Sequence, residues 1–341
     1  MKIGIVGYQG AGKSTLFEWL TGETADPAQA HRAQNAMATV PEQRVEPLCQ
    51  IYQPKKITLA SLELVDTPGL SRSHEGSAAR LATIRESGCL VMVVAAFAGN
   101  DAAADFQNFA DDLLIADLDI VSGRIERLRE QVKKPRPDRD ELQAELAAIE
   151  PLHEAMEEGR SLREMELTPD QQKAIRSFQL FSEKPRLLVV NTPDDEEDLA
   201  QYQALAGDGI PVFALSLGMQ LELTRMEEAE RHDFCAEMGV TSVSPHDLVR
   251  AITDTSGQML FFTCGEKEVR TWMIRQGGTA VEAAGNIHTD LAKGFIRAEC
   301  MNADDVIRLG SEREVKAQSL WRQEPKDYVI QDGDVLLIRH N

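Results

Sequence analysis

The stretch GYQGAGKS at residues 7–14 decides the fold of this chain. It lies between an apolar run at residues 2–6 and a helical pattern that begins with Leu16 and Phe17, so the local order is strand, glycine loop, helix. Glycine lets the backbone wrap closely enough for consecutive N–H groups to point at phosphate oxygens, and the helix N-terminus adds partial positive charge. The stretch therefore predicts a phosphate-binding loop.

Position within the loop assigns a role to each residue. Lys13 is placed to reach the β- and γ-phosphates of a nucleotide, and the Ser14 hydroxyl is placed to complete the coordination of Mg²⁺. From average residue usage, such a match arises by chance in about one chain in a hundred, so an accidental glycine-rich turn is the poorer interpretation. The expected nucleotide contacts are Gly10, Ala11, Gly12, Lys13, Ser14 and Thr15.

A second motif, DTPGL at residues 66–70, follows a strand-like run at residues 57–65. An aspartate at the C-terminal end of a buried strand suits a second contact to Mg²⁺, and the N–H of the later glycine suits a hydrogen bond to the γ-phosphate. Alone, this motif is weak evidence for a nucleotide site. Its position one strand after a phosphate loop makes the evidence much stronger. We therefore expect Asp66 to support the metal and Gly69 to act with Lys13 in catalysis.

The switch regions are less well defined. Leu70 stands where Ras-type GTPases carry a glutamine that orients the attacking water, so hydrolysis is either slow or assisted from elsewhere. Residues 71–77 are typical of a second switch, in which His74 is either a water-positioning group or a solvated loop histidine. Thr24 and Thr39 are candidate first-switch ligands of Mg²⁺, and plain loop threonines are an equal alternative.

Residues 115–156 predict a helical hairpin. Apolar residues recur there at alternating threes and fours, as in a coiled-coil seam, and prolines at positions 135 and 137 interrupt the helix. The hairpin would be antiparallel, with a basic tip that either contacts RNA phosphates or is a solvated turn. The tip cations are Lys133, Lys134, Arg136 and Arg139.

The base of the nucleotide is expected near Asn191 and Asp194, which follow a buried strand at residues 186–190. Ser216, at the end of the next strand, is a further candidate. A carboxylate accepts two hydrogen bonds from guanine N1–H and N2–H₂, whereas adenine presents an N1 acceptor that a carboxylate repels. The residue chemistry alone therefore favours GTP.

Composition excludes several classes of partner. The chain of 341 residues has a net charge of −20, which argues against binding duplex DNA or an anionic membrane. The longest apolar run, residues 89–98, is too short to span a bilayer. The five cysteines show no paired spacing, and no signal peptide is recognisable before the first strand. We expect a cytoplasmic protein with no membrane partner.

From residue 256 onward, short strand-like runs alternate with turns such as Gln276-Gly277-Gly278, which is typical of a small β-grasp-like module. The expected fold class is α/β: a P-loop, GTPase-like domain with a mostly parallel sheet, a helical hairpin insertion and this C-terminal module. The expected limits are 1–118 and 182–255 for the nucleotide-binding domain, 119–181 for the insertion and 256–341 for the C-terminal domain.

Over nearly its whole length the chain resembles the Obg-like ATPase (YchF) family. The most specific matches are AGNIHTD at 284–290, KGFIRAE at 293–299 and KDYVIQDGD at 326–334. The resemblance implies a P-loop core, a coiled-coil insertion and a C-terminal TGS domain. It also implies hydrolysis of a purine nucleoside triphosphate with a hydrophobic residue in place of the catalytic glutamine, and binding to the ribosome in translation or stress responses.

The chain departs from the family pattern at the site itself. Gly10-Ala11 replaces the usual Asn-Val, the Thr-Ile-Glu-Pro-Asn stretch of the first switch is not recognisable, and the second switch lacks Lys-Gly-Ala-Ser. Asp194 replaces the glutamate of Asn-x-x-Glu, which the family associates with ATP. Weighing family against residue chemistry, we expect ATP narrowly ahead of GTP, with Mg²⁺.

Two functions from different classes follow. The leading hypothesis is a ribosome-associated purine nucleoside triphosphatase that acts as a nucleotide-dependent switch. The alternative is an adaptor that binds ATP or GTP, hydrolyses it very slowly or not at all, and docks on RNA or the ribosome. A P-loop kinase is disfavoured by the turn at residues 66–69 and by the C-terminal matches.

Overall fold

The computed structural model describes residues 1–29, 31–71, 77–196, 198–207 and 209–341, and for Pro27 and Ser77 the backbone alone. The strands within these ranges are β1 (Lys2–Val6), β2 (Gln34–Thr39), β3 (Ile57–Thr58), β4 (Ser61–Asp66), β5 (Cys89–Ala95), β6 (Arg186–Asn191), β7 (Val212–Leu215), β8 (Gln258–Cys264), β9 (Val269–Arg275), β10 (Phe295–Asn302), β11 (Arg322–Glu324) and β12 (Asp334–His340).

The α-helices within the same ranges are α1 (Lys13–Thr21), α2 (Val45–Tyr52), α3 (Ser77–Arg85), α4 (Ala102–Val132), α5 (Arg139–Glu157), α6 (Pro169–Ile175), α7 (Leu217–Arg225), α8 (Glu228–Met238), α9 (Pro245–Thr255), α10 (Ala280–Ile287), α11 (Thr289–Lys293), α12 (Ala303–Leu309) and α13 (Glu312–Ala317). In the described part of the chain, none of the helices combines the length and apolarity needed to cross a bilayer.

The chain divides into two compact units, of which the first comprises residues 1–36 and 63–243. Its sheet has the order β2-β4-β1-β5-β6-β7, with parallel pairing of β1 to β4 and β5, of β5 to β6 and of β6 to β7. Strands β5 and β6 are buried along their whole length, as central parallel strands are. Because the strands run the same way, their carboxyl ends meet at one edge, where β4 ends at Asp66 and β6 ends at Asn191.

The helical hairpin is confirmed, with α4 and α5 as its two arms. Its seam is one apolar cluster that includes Val121, Leu128, Ile149 and Leu152. Helix α4 begins at Ala102, earlier than the seam pattern indicates, because its first half packs on the sheet instead of on α5. A single helix of 31 residues therefore runs from the sheet into the hairpin.

A buried carboxylate holds the base of the hairpin. Asp117 accepts hydrogen bonds from Arg85 Nη1 at 2.7 Å, from the backbone N–H of Ser182 at 2.8 Å and from the Ser182 hydroxyl at 2.9 Å. The Arg85 guanidinium also lies 3.9 Å from the centre of the Phe181 ring. These contacts join α4 to α3 and to the segment that leads into β6.

The second unit comprises residues 37–62 and 244–341. Its mixed sheet has the order β11-β10-β12-β8-β9-β3, with β8–β9 and β10–β12 antiparallel and β12–β8 parallel. Helix α10 packs on the sheet through Ala280 and Ala283, which share an apolar cluster with Phe261 and Ile274. The C-terminal β-rich module is therefore present.

Two segments lie elsewhere than the sequence-based limits suggest. Residues 37–62, expected in the nucleotide-binding domain, pack with the C-terminal sheet, because Val45 and Leu48 share a core with Phe262. Residues 244–255 also belong to the second unit, where α9 packs against β8. The division into three domains otherwise stays a prediction.

Strand β2, at residues 34–39, has no counterpart among the elements predicted from the sequence. In β2 the alternating buried residues are Ala36 and Ala38, and the others are polar or exposed. Alanine is not a typical strand former, so the alternation of buried alanines does not predict a strand from the sequence.

Candidate nucleotide-binding site

The glycine loop follows β1 and precedes α1, and two of its glycines are required by close contacts. Gly7 has φ +146°, and a Cβ on it would lie 2.3 Å from the Val93 carbonyl oxygen. Gly12 has φ +104°, and a Cβ on it would lie 2.3 Å from Asn191 Nδ2. The loop backbone is therefore pressed against β5 on one side and against the end of β6 on the other.

Lys13 is the first residue of α1 and is only 7% exposed. Its Nζ donates to the Tyr8 carbonyl at 2.8 Å, which folds the side chain back over the loop. Burial lowers the pKa of Lys13 to about 8, while the charge of Asp66 opposes this shift and that of Arg80 adds to it. A buried cation of this kind is stabilised by an anion brought into the loop.

Ser14 meets the second motif directly. Its hydroxyl donates to Asp66 Oδ2 at 2.6 Å. Burial raises the pKa of Asp66, against the effect of the Ser14 hydrogen bond and the Lys13 charge. The second carboxylate oxygen, Oδ1, is buried and has no hydrogen-bond partner among the described residues.

The hydroxyl of Ser14 and the carboxylate of Asp66 are hard oxygen donors, which are the ligands that Mg²⁺ prefers. The described residues contain no cluster of three His, Cys, Asp or Glu side chains suited to a metal. The two side chains therefore fit an ion that takes its remaining ligands from phosphates and water. Of the switch candidates, Thr24 donates to Glu18 at 3.2 Å on the surface, and His74 lies outside the described residues.

The DTPGL turn is joined to the loop by backbone hydrogen bonds. Leu70 N–H donates to the Gly7 carbonyl at 3.2 Å, and Gln9 N–H donates to the Leu70 carbonyl at 3.1 Å. A Cβ on Gly69 would lie 2.7 Å from Lys13 Nζ. Leu70 itself is 1% exposed and packs in the core, so it presents no group to the phosphate site.

Tyr8 links the loop to α4, a connection that the sequence pattern did not indicate. Its hydroxyl donates to Asp112 Oδ2 at 2.8 Å, and its ring meets the Phe109 ring edge-on at a centroid distance of 5.4 Å. The residue that accepts the Lys13 hydrogen bond is thus anchored to the helix that continues into the hairpin.

Asn191 joins the loop to the far side of the site. Its Nδ2 donates to the Ala11 carbonyl at 3.1 Å, and its Oδ1 accepts from Leu217 N–H at 3.1 Å. The side chain is 8% exposed. Asn191 therefore has a structural part in placing α7 beside the phosphate loop, and its contact with a base stays a prediction.

A cavity of about 720 Å³ opens beside Asn191, at the ends of β6 and β7. Asp194 is exposed at its edge and accepts a hydrogen bond from the Ser216 hydroxyl. Among its lining residues are Thr192, Asp194, Leu199, Ser216, Met219, Gln220, Met238 and Val240. Polar and apolar walls of this kind are typical of sites for small molecules.

The outer wall of the cavity, residues 238–243, was not predicted. Gln220 fixes it, because Nε2 donates to the Thr241 carbonyl at 2.8 Å and Oε1 accepts from Val243 N–H at 2.8 Å. The structure thus brings most of the predicted site residues together. The phosphate side of the site contains Ala11, Gly12, Lys13, Ser14, Asp66, Gly69 and Asn191. The adjoining cavity contains Asp194 and Ser216. Gly10 is exposed at the loop, and Thr15 is half-buried in the first turn of α1.

The Gly12 contact gives a first prediction. Gly12→Ala forces a left-handed alanine and a clash with the Asn191 amide, so we expect nucleotide affinity to fall at least about tenfold. Calorimetric titration with ATP measures the change, and circular dichroism monitors folding. Gly22→Ala is the matched control, because Gly22 has φ +72° with nothing within 4 Å of its added Cβ. Equal affinities of the two variants would contradict the role of the contact.

Comparison with known proteins also indicates a nucleotide-binding protein with a phosphate loop. A family model described as "50S ribosome-binding GTPase" matches residues 2–129, and the YchF-GTPase C-terminal model, described as a protein of unknown function (DUF933), matches residues 259–341. The structure of the Schizosaccharomyces pombe YchF GTPase superposes with a TM-score of 0.84 at 26% identity, covering 99% of this chain and 97% of that one.

Two relatives match at full length. "Ribosome-binding ATPase YchF" of Haemophilus ducreyi is 32% identical over 100% of this chain and 99% of its own. "Obg-like ATPase 1" of Oryza sativa subsp. japonica is 32% identical over 100% of this chain and 92% of its own. The chain therefore belongs to the YchF/Obg-like ATPase family of P-loop NTPases.

Proposed function

We propose that this protein is a Mg²⁺-dependent purine nucleoside triphosphatase of the cytoplasm that prefers ATP and binds the ribosome. The observation that carries the proposal is the convergence of the Lys13 ammonium, the Ser14–Asp66 pair and the Gly69 backbone on one loop. Each of these groups is suited to bind either an anionic phosphate chain or its metal ion. Ribosome binding is supported by the name of the H. ducreyi relative.

Different residues bind different parts of the triphosphate and its metal ion. Lys13 binds the β- and γ-phosphates, and the backbone N–H groups at residues 10–15 surround them. Ser14 and Asp66 would hold Mg²⁺, and the bound ion would supply positive charge that stabilises the negative charge of the phosphates. Gly69, lying against Lys13, offers its N–H to the γ-phosphate.

The preference for ATP has a physical support at the base side. Ser216 donates to Oδ1 of Asp194, so this oxygen already has a donor within the protein. Guanine needs both carboxylate oxygens for its N1–H and N2–H₂ donors. The hydrogen bond from Ser216 therefore weakens the one feature of the sequence that favours GTP. The names of relatives include both "ATPase" and "GTPase".

The adaptor alternative is favoured by one observation, the burial of Leu70 in the core. Single-turnover hydrolysis separates the two functions. We expect the intact protein to hydrolyse ATP slowly, Lys13→Ala to reduce this to background, and removal of Mg²⁺ with EDTA to do the same. Turnover of the intact protein no greater than that of Lys13→Ala would reject the enzyme and leave the adaptor.

Base preference is tested at Ser216. Ser216→Ala frees Asp194 Oδ1, so we expect the ratio of ATP to GTP affinity to move toward GTP by about fivefold, the value of one hydrogen bond. Calorimetric titration with both nucleotides gives the ratio within one variant, so changes in stability cancel. Ser216→Thr keeps the hydroxyl and serves as the control. An unchanged ratio in Ser216→Ala, or tighter binding of GTP by the intact protein, would contradict the account.

We propose that the hairpin tip contributes to ribosome docking. Two of its cations are paired locally, Lys133 with Glu130 at 2.6 Å and Arg136 with Asp138 at 2.9 Å, on exposed side chains. Exposed pairs of this kind contribute little to stability and open readily. The cations therefore stay accessible to phosphates of RNA.

Charge reversal tests this contact. Replacing Lys133, Lys134, Arg136 and Arg139 by glutamate should lower the ribosome-bound fraction in co-sedimentation by roughly threefold or more, and more salt should weaken the intact protein's binding in the same way. Reversal of Lys173 on α6 and of Arg176 directly after it, both exposed, is the control. Undiminished co-sedimentation of the tip variant would show that docking uses another surface.

A further inference from the structure

We propose that Arg80 is a catalytic residue of this site, a cation supplied from α3 that contacts the γ-phosphoryl group during hydrolysis. The inference rests on the proposed function, because it assigns a residue to the reaction proposed there. In that reaction a water oxygen bonds to the γ-phosphorus while the bond to the bridging oxygen breaks, giving ADP, inorganic phosphate and a proton.

The position of Arg80 is fixed by the DTPGL turn. Its Nη1 donates to the Gly69 carbonyl at 2.8 Å. Gly69 in turn lies against Lys13, since a Cβ on it would be 2.7 Å from Lys13 Nζ. The guanidinium and the ammonium therefore both lie next to Gly69, the residue whose N–H we propose to meet the γ-phosphate.

The charges around Gly69 favour an anion there. Lys13 is buried, and Arg80 is close enough for its charge to act on the Lys13 ammonium. Asp66 is the acidic neighbour of Lys13, and one of its oxygens already accepts from Ser14. Two cations that repel each other are both stabilised when a phosphate lies between them.

The guanidinium has the donors for this contact. Arginine carries five N–H groups in a planar fork, and the bond to the Gly69 carbonyl uses Nη1 to set the orientation of that fork. A planar fork can hold one carbonyl and present other N–H groups to phosphate oxygens.

At position 70, where Ras-type enzymes carry a catalytic glutamine, this site has no polar side chain. Leu70 replaces the glutamine of Ras-type enzymes and is buried in the core. An arginine that neutralises transition-state charge is worth about 10³ to 10⁵ in turnover in related phosphoryl-transfer enzymes. Arg80 supplies such a charge from within the same chain, which compensates for the missing glutamine.

The experiment must separate this catalytic role from a purely structural one, in which Arg80 only holds α3 to Gly69. Arg80→Gln keeps an amide N–H donor on a shorter side chain but removes the charge, and Arg80→Ala removes both. The full-length protein is used, with single-turnover ATP hydrolysis and with the affinities for ADP alone and for ADP with aluminium fluoride, a mimic of the transferring phosphoryl group. Arg160→Ala, at an exposed arginine paired with Glu158, is the control.

We expect Arg80→Gln and Arg80→Ala both to slow hydrolysis by about 100-fold or more. The affinity for ADP should stay within about twofold, whereas the gain in affinity from aluminium fluoride should be lost, because the contact forms only with a γ-phosphoryl group. Added guanidinium ion should restore part of the rate of Arg80→Ala.

Hydrolysis by Arg80→Gln at the rate of the intact protein would overturn the proposal and leave Arg80 as a structural tie. Normal hydrolysis by Arg80→Ala would overturn it as well. Both results leave the proposed function standing, because the intact protein is active in each. If instead the intact protein shows no more turnover than Lys13→Ala, the proposed function and the assignment of Arg80 fail together.

Discussion

The site depends on two close approaches of backbone that only glycine permits. Gly7 lies beside the Val93 carbonyl of β5, and Gly12 lies beside the Asn191 amide at the end of β6. These contacts fix the phosphate loop between neighbouring parallel strands, and the hydrogen bonds from Leu70 and Gln9 close it from the β4 side. Because the loop is held on three strands at once, Lys13 and Ser14 project from a framework that is fixed by backbone contacts of the sheet.

The same framework connects the phosphate side to the base side and to the hairpin. Asn191 bridges Ala11 and Leu217, so the start of α7 and the cavity beside it are placed relative to the loop. Tyr8 bridges the loop to Asp112 of α4, which continues without a break into the hairpin. The loop thus contacts the helix that leads into the hairpin and, through Asn191, the start of α7 beside the cavity.

Local signals in the sequence were sufficient to predict the glycine loop between β1 and α1, the position of Asp66 at the end of β4 and the helical hairpin, whereas the metal-binding role of Asp66 stays a prediction. Each depends on residue spacing within one element, and the parallel sheet then brings the separate elements together. The parts that were missed depend on long-range packing. The strand β2 is built on Ala36 and Ala38, the segment 37–62 has its partners in the C-terminal sheet, and Gln220 fixes a wall some 20 residues further on. Arg80 has no motif around it, and only the fold brings it to Gly69.

In the function proposed for this protein, the glycine loop wraps a triphosphate whose metal would lie at Ser14 and Asp66 and whose base enters the cavity beside Asn191. The most direct measurement is a crystal structure of the protein with Mg²⁺ and a non-hydrolysable ATP analogue. We expect the β- and γ-phosphates within hydrogen-bond distance of Lys13 Nζ, the metal at the Ser14 hydroxyl and the adenine next to Thr192 and Ser216. A nucleotide bound away from Lys13, or with its base outside that cavity, would contradict this proposal.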